Sequence, residues 1–452
     1  MKRRDFLTRA GILLGSVGIA ESFKLDLMHK LGRSILPSAG ADTVVPQRVL
    51  EICFRSGIPM IQFAVGSEIG SMSSAKYANF AYMNSQTTKM NSNMWFNMDS
   101  SALSVHGANI AVTQGIASDG SHTDDFNIRR GSSAALSPLP QTAPIVELAN
   151  NNTTSSLIYG VKWPGDVINQ TNSYKDLVMV TGASGFTGLF KNNRLQMSDP
   201  ELSNVLDAAS QLSSKQAALL ENKLSNSAAQ NKTVSGAVQL FTTDYSKLLV
   251  TDSMAAPLTD MSVPGPMGFS PNYPAARQAV ALSLKGFQYN LINSSQVVME
   301  MGDWHALDAV GSTAPLTKAI SDTLAAAVDF LKITPDPASS SGQMLWDTTV
   351  IMASSEFNRG ISLANGSADN NDGDNQGMML IGKKIAGNYY GGFDTSGMGN
   401  ATAFGFNISS GATTPGMKNS TLQGYYTMRK ALGLPLQITQ SAQAFNCMLK
   451  TS

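Results

Sequence analysis

Charged side chains and cysteine are scarce in this 452-residue chain, and each scarcity excludes a class of protein. Only 14% of the residues are charged and 42% are hydrophobic, which excludes a disordered polyelectrolyte and allows a large core. Lys+Arg and Asp+Glu number 32 each, so nothing in the overall charge favours a nucleic-acid partner. The two cysteines, Cys53 and Cys447, are too few to form a zinc cluster by themselves.

A bilayer-spanning segment is also lacking at the N-terminus. The apolar run from Ala10 to Ala20 is shorter than the roughly 20 residues that a spanning helix needs. It follows Arg3-Arg4 and Phe6-Leu7, and this pattern is typical of a twin-arginine export signal. We therefore expect a signal peptide and linker over residues 1–41, export by the twin-arginine translocase, a periplasmic or secreted location, and no membrane span in the mature chain.

Two details of the exported chain stay open at this stage. Cleavage fits the small residues Ala39-Gly40-Ala41 as well as Gly18-Ile19-Ala20. Cys53 and Cys447 are free to pair in an oxidising compartment, or to remain as two free thiols, because Cys53 lies inside the apolar run VLEICF.

The hydrophobic pattern after residue 41 predicts an α/β fold with a mostly parallel central sheet flanked by helices. Helical stripes begin near Pro274 and Pro315, and each leads into a β-rich run. We expect one domain over residues 42–452, with a helical insertion over residues 199–249. Six short apolar runs are the predicted strands: Val49–Phe54, Ile110–Thr113, Leu177–Val180, Gln296–Met301, Thr348–Ala353 and Met378–Ile381.

Polar segments follow four of these runs: RSGIP, SDGSHTDD, GDWH and SSEFNR. In open α/β sheets, ligands bind beyond the carboxyl ends of the strands. The pattern therefore predicts that these four loops converge on one edge of the sheet.

The same segments resemble the motifs of an exported, sulfatase-like family known as domain of unknown function 1501, a branch of the alkaline-phosphatase superfamily. The resemblance implies an alkaline-phosphatase-like fold and a metal site built from Asp and His. It covers nearly the whole mature chain and is strongest from Tyr273 to Asp394. The matching motifs, in the order of the family, are Phe54-Arg55-Ser56-Gly57, Ser121-His122, Gly302-Asp303-Trp304-His305, Ser355-Glu356-Phe357-Asn358-Arg359 and Gly373-Asp374-Asn375.

Several ligand positions of the family are changed in this chain. Pro59 stands near the position of the first acid, Leu307 replaces a histidine, and Asn375 replaces another. The residues that remain are His122, His305 and Asp374, which would form a single metal site, with Asp303 in support. Glu356 and Arg359 are expected to form an ion pair that fixes their loop.

Two functions follow from these residues. The first is a degenerate member of the family, with no ion or one weakly bound zinc, manganese or calcium ion, that acts in binding or assembly. The alternative is an active periplasmic hydrolase of phosphate or sulfate esters, in which a metal polarises the ester and a hydroxyl attacks.

Overall fold

The structure is a computed structural model in which some segments of the chain are described and others are not. The chain divides into two compact units. Of the described residues, 184–190 and 245–250 belong to the smaller unit. Residues 199–244 of the predicted insertion lie outside the described residues, so the insertion and the single-domain boundary stay predictions. The described residues are 47–55, 60–67, 88–117, 158–163, 177–190, 245–264, 272–300, 314–339, 341–355, 360–362, 368–369, 376–394 and 400–450.

Fifteen strands are present in the described residues. In chain order they are β1 (Arg48–Arg55), β2 (Ala64–Gly66), β3 (Thr88–Lys89), β4 (Met94–Phe96), β5 (Ile110–Ile116), β6 (Ile158–Trp163), β7 (Leu177–Met179), β8 (Ile292–Glu300), β9 (Thr349–Ser355), β10 (Gly360–Ser362), β11 (Ala368–Asp369), β12 (Gln376–Gly382), β13 (Asn388–Tyr390), β14 (Gly392–Asp394) and β15 (Asn400–Phe404).

Eight α-helices accompany them in the same residues. They are α1 (Ser101–Ser104), α2 (Ala183–Leu189), α3 (Ala256–Thr259), α4 (Tyr273–Gln288), α5 (Ala314–Ile333), α6 (Leu345–Thr348), α7 (Thr421–Ala431) and α8 (Ile438–Gln443). None of the described helices is both long and apolar enough to cross a membrane.

Eight of the strands form one sheet in the order β13-β5-β12-β9-β1-β8-β6-β7. Five of its seven pairings are parallel, and β12 alone runs against both of its neighbours. All six predicted strands belong to this sheet, which confirms the mostly parallel α/β fold. The pattern did not reveal β6, β13 or the reversed direction of β12. Two smaller sheets, β11-β10-β15-β14 and β2-β4-β3, complete the described strands.

Helices cover both faces of the large sheet. Ser295 in β8 faces α4, where the hydroxyl of Ser283 lies 2.6 Å from its own hydroxyl. The next residue, Gln296, points to the opposite face because side chains alternate along a strand. Its amide donates to Glu51 Oε2 of β1 at 2.7 Å, and the Tyr425 hydroxyl of α7 donates to the other oxygen of the same carboxylate. The helices α4 and α7 therefore lie on opposite faces of the sheet.

The two predicted helical stripes are confirmed as core-facing surfaces. The helix α4 begins at Tyr273 and α5 begins at Ala314, each one residue before the proline that suggested its start. Proline fits the first turn because its missing N–H has no partner in the helix there. The stripe residues are all buried: Ala276, Val280, Leu284, Phe287 and Leu291 near α4, and Leu316, Ile320, Leu324, Val328 and Leu331 in α5.

Cys53 and Cys447 are not joined by a disulfide, which decides the alternative left open by the sequence. Cys53 is buried in β1 against Val298. Cys447 lies near the C-terminus, where burial raises the pKa of its thiol to about 11. At neutral pH this thiol is protonated and therefore a poor nucleophile.

Candidate functional site

One edge of the large sheet collects the strand ends that precede the predicted site. The parallel strands β1, β5, β8 and β9 end there at Arg55, Ile116, Glu300 and Ser355. Arg55 pairs in register with Glu300, and Ile116 pairs with Gln376, the first residue of β12. Because β12 is reversed, its start lies at the same edge as the other strands' ends. We call this the carboxyl edge.

Each predicted site residue is close in sequence to one of these strand ends. The six residues themselves lie outside the described part of the chain, so their metal-binding and supporting roles stay predictions. His122 follows β5, Asp303 and His305 follow β8, Glu356 and Arg359 follow β9, and Asp374 precedes β12.

A fully buried amide lies two residues before the end of β5. Gln114 has no exposed surface, and neither its amide nitrogen nor its amide oxygen has a hydrogen-bond partner among the described residues. A buried polar group without a partner costs about 1–3 kcal/mol and marks a place where water or another polar group is needed. Sequence reasoning missed Gln114, although a glutamine inside the apolar run IAVTQGI was the available signal.

The end of β5 also contains a bulge that only glycine can occupy. Gly115 has φ +70°, and a Cβ atom there would lie 2.2 Å from the backbone nitrogen of Gly405. Opposite it, the register of β12 against β5 shifts between Gln376 and Met378. A bulge redirects the chain that leaves a strand, and the chain leaving β5 continues into the segment that contains His122.

Asn419 fixes this end of β5 to the C-terminal part of the chain. Its backbone nitrogen donates to Gly115 O at 2.9 Å, and its backbone oxygen accepts from Ala117 N at 2.7 Å. Its side chain accepts from Phe406 N at 2.9 Å and donates to Phe406 O at 3.1 Å. Asn419 therefore joins three chain segments at the carboxyl edge. No local pattern in the sequence signals this role, because the partners are distant in the chain.

Buried polar residues also end β9 at this edge. Ser354 and Ser355, its last two residues, are 1% and 0% exposed, and Thr113 of β5 is also fully buried. The Thr113 hydroxyl accepts from Met378 N at 3.2 Å, which occupies it within the sheet. In β5 and β9, buried polar residues therefore lie next to the points from which the candidate loops leave.

The described residues do not by themselves provide a metal site. They contain no group of three His, Cys, Asp or Glu side chains placed to hold an ion. His106, the histidine within them, contacts Lys332 and Asp329 at the start of β5, which is the opposite edge of the sheet. A metal site with three such ligands would therefore need at least one ligand from outside the described residues.

No protein-family model matches the sequence, and neither does any curated protein. The solved structures that are remotely similar to this chain include the following three. Ps i-CgsB in complex with k-i-k-neocarrahexaose has a TM-score of 0.38 and 12% identity, over 89% of this chain and 75% of the other. Ps i-CgsB by itself gives 0.36 and 11% over the same shares. A protein in the alkaline phosphatase superfamily from Vibrio parahaemolyticus gives 0.30 and 8%, over 81% of this chain and 70% of the other.

These similarities are too remote to indicate an activity or a substrate. The α/β fold is established by the strand order and direction of this chain, independently of the three structures.

Proposed function

We propose that this chain is an exported, sulfatase-like protein with a degenerate metal centre, which binds a ligand at the carboxyl edge and has lost the full two-metal site of a hydrolase. The observation that supports it is the convergence of five attachment points, the ends of β1, β5, β8 and β9 and the start of β12, on one sheet edge. These are the points at which the motifs of the resemblance join the sheet.

The charge of the candidate ligands argues against two ions. Two divalent cations bring four positive charges together, and several carboxylates must offset them. Pro59, Leu307 and Asn375 are neutral residues near or at ligand positions of the family. His122, His305 and Asp374 supply three ligands, which matches the number that a single zinc ion takes from a protein.

Metal binding and ester turnover test this proposal together. The purified protein is analysed for bound metal, titrated with zinc, manganese and calcium, and assayed on aryl phosphate and aryl sulfate esters. We expect at most one ion per chain and turnover at background. If an ion binds, His122→Ala and Asp374→Asn should each weaken its binding by at least about tenfold, since even supporting residues of metal sites contribute that much.

Asp372→Asn is the matched control for Asp374→Asn. It removes the same charge from the same acidic segment and should leave ion binding unchanged. Two tightly bound ions with metal-dependent turnover would contradict the proposal and establish the hydrolase instead. Equal losses in Asp372→Asn and Asp374→Asn would show that the segment contributes only its net charge.

A further inference from the structure

The edge of the sheet opposite the carboxyl edge carries exposed lysines. The reversed strand β12 ends there at Gly382, and Lys383 and Lys384 follow it directly. Lys450 is attached to them by a hydrogen bond from its backbone nitrogen to Lys384 O at 2.9 Å. All three lysines are exposed. In a chain with only 14% charged residues, this is a local concentration of one charge.

Acidic side chains near these lysines neutralise only part of the charge. Asp347 is bonded to Lys383. Among the described residues, neither Lys384 nor Lys450 has an ion pair. Burial, and secondarily the positive charge of Lys332, hold the pKa of Lys450 below its usual value, so a second cation lies close to it.

Two large aliphatic side chains are exposed on neighbouring segments of this edge. Val105 is 80% exposed and Ile333 is 76% exposed. Their sequence neighbours are in contact, because Lys332 Nζ lies 2.8 Å from His106 Nδ1. His106 also contacts Asp329, and burial holds the pKa of His106 below its usual value. The histidine is therefore largely neutral at pH 7 and adds no charge there.

Hydrogen bonds bring the chain segments that carry these five exposed residues to the same edge of the sheet. Asn109, four residues after Val105, donates to Lys383 O at 3.0 Å, which brings the start of β5 beside the end of β12. We call the set Val105, Ile333, Lys383, Lys384 and Lys450 the lysine edge.

The N-terminal segment of the chain enters the fold at this same edge. Val49, near the start of β1, pairs with Val350, which in turn pairs with Gly382 at the end of β12. At about 4.8 Å between adjacent strands, the start of β1 is roughly 10 Å from the first lysine. The first described residues of the chain, at the start of β1, therefore lie near the lysine edge.

We propose that the lysine edge docks on an anionic lipid surface. Exposed aliphatic side chains at the same edge as lysines suit the boundary between acyl chains and acidic headgroups, where the aliphatic groups enter and the ammonium groups remain in water. An acidic soluble polymer would use the lysines but gain nothing from Val105 or Ile333. The proposal does not depend on the proposed function, because the carboxyl edge lies at the other end of the strands.

Vesicle sedimentation tests the lipid surface. The protein is purified in the form that the cell accumulates, its N-terminus is determined by mass spectrometry, and it is mixed with vesicles of phosphatidylcholine with or without 30% phosphatidylglycerol. We expect binding that requires phosphatidylglycerol and weakens in 0.5 M NaCl. Lys384→Glu should weaken it at least about fivefold, since each lysine near an anionic surface contributes about that factor. Ile333→Ser should weaken it about threefold or more.

Two control variants make the same kinds of substitution away from the lysine edge. Lys318→Glu makes the same charge change about 22 Å away along α5 from Ile333. Ile438→Ser removes an isoleucine that is 90% exposed on α8. Both controls should bind as the parent does, and all variants should keep its circular dichroism spectrum.

Three results would overturn the proposal. The first is no binding to vesicles, or equal binding to neutral and anionic vesicles. The second is an equal loss of binding in the lysine-edge variants and in their controls. The third is binding to soluble polyglutamate as tight as binding to anionic vesicles, with no effect of Ile333→Ser. The last result would assign the lysines to an acidic polymer.

Discussion

At the scale of single residues, the fold contains a buried ion pair at the start of β1, and burying its two charges is costly unless they stay paired. Arg48 and Asp336 are both fully buried, and the guanidinium donates to both carboxylate oxygens at 2.6 and 3.0 Å. Thr348 donates to the same carboxylate at 2.7 Å. Burial lowers the pKa of Arg48, and the nearby Asp336 charge opposes this shift, so each charge depends on the other.

Asp336→Ala should therefore destabilise the protein severely. We expect a loss of about 3–5 kcal/mol in the free energy of unfolding, because the buried Arg48 guanidinium would lose the carboxylate that it contacts through two hydrogen bonds. Urea unfolding followed by circular dichroism measures it.

Two further variants separate this cause from a general loss of acidic residues. Asp252→Ala removes an exposed carboxylate and should change stability by no more than about 0.5 kcal/mol. Arg48→Met combined with Asp336→Leu should recover part of the loss, because it removes both charges. A double variant no more stable than Asp336→Ala would mean that lost packing, and not the unpaired charge, dominates.

At the scale of elements, the end of β5 depends on a connection that lies far away in the sequence. Asn419 uses its backbone on β5 and its side chain on the backbone of Phe406. Because its side chain both accepts from and donates to the backbone of Phe406, it makes the same pair of hydrogen bonds that a neighbouring strand residue would make. It holds β5 where the chain departs toward the predicted site.

Asn419→Asp tests this connection with almost no change in shape. The carboxylate still accepts from Phe406 N but cannot donate to Phe406 O, so we expect a loss of about 1–3 kcal/mol. Urea unfolding gives the total effect, and hydrogen exchange of the Ala117 amide reports whether the end of β5 loosens.

Asn407→Asp is the control for the substitution itself. The Asn407 side chain only accepts, from Ser409 N and Ser410 N at 3.0 Å each, so a carboxylate can replace it at small cost. If Asn407→Asp and Asn419→Asp lost the same stability, the connection would not be the cause.

At the scale of the whole molecule, the N-terminal residues are expected to decide where the protein acts. Arg3→Lys with Arg4→Lys should keep the chain in the cytoplasm, because the twin-arginine translocase recognises the paired arginines. Cell fractionation and immunoblotting measure this. Arg9→Lys, in the same segment but outside the pair, should leave export unchanged, and normal export of the double variant would remove the predicted location.

The pattern of apolar residues predicted six strands of the large sheet and the two long helices correctly. Burial on both faces makes a parallel strand a continuous apolar run, as in β9 with the sequence TVIMASS, every residue of which is buried. A helix that buries one face in the core repeats its apolar residues every three or four positions, as α5 does. These signals are local, so the sequence contains them directly.

For the candidate site, the sequence predicted which motifs lie together but did not test the roles of their residues. It indicated that polar segments after β1, β5, β8 and β9 would share an edge, and the strand directions confirm that their attachment points do. The roles of His122, His305 and Asp374 stay predictions. Gln114 was missed because an isolated polar residue in an apolar run gives no sign of whether it has a partner.

By itself, the amino-acid sequence determined the α/β class, the long helices and the order of the candidate loops, because these follow from composition and short-range periodicity. Only the tertiary structure decided that β12 runs backwards, that Asn419 closes the end of β5, and that Lys450 lies beside Lys384. Each of these depends on hydrogen bonds between residues distant in the chain, and the energy of such pairs is set by the packed fold as a whole.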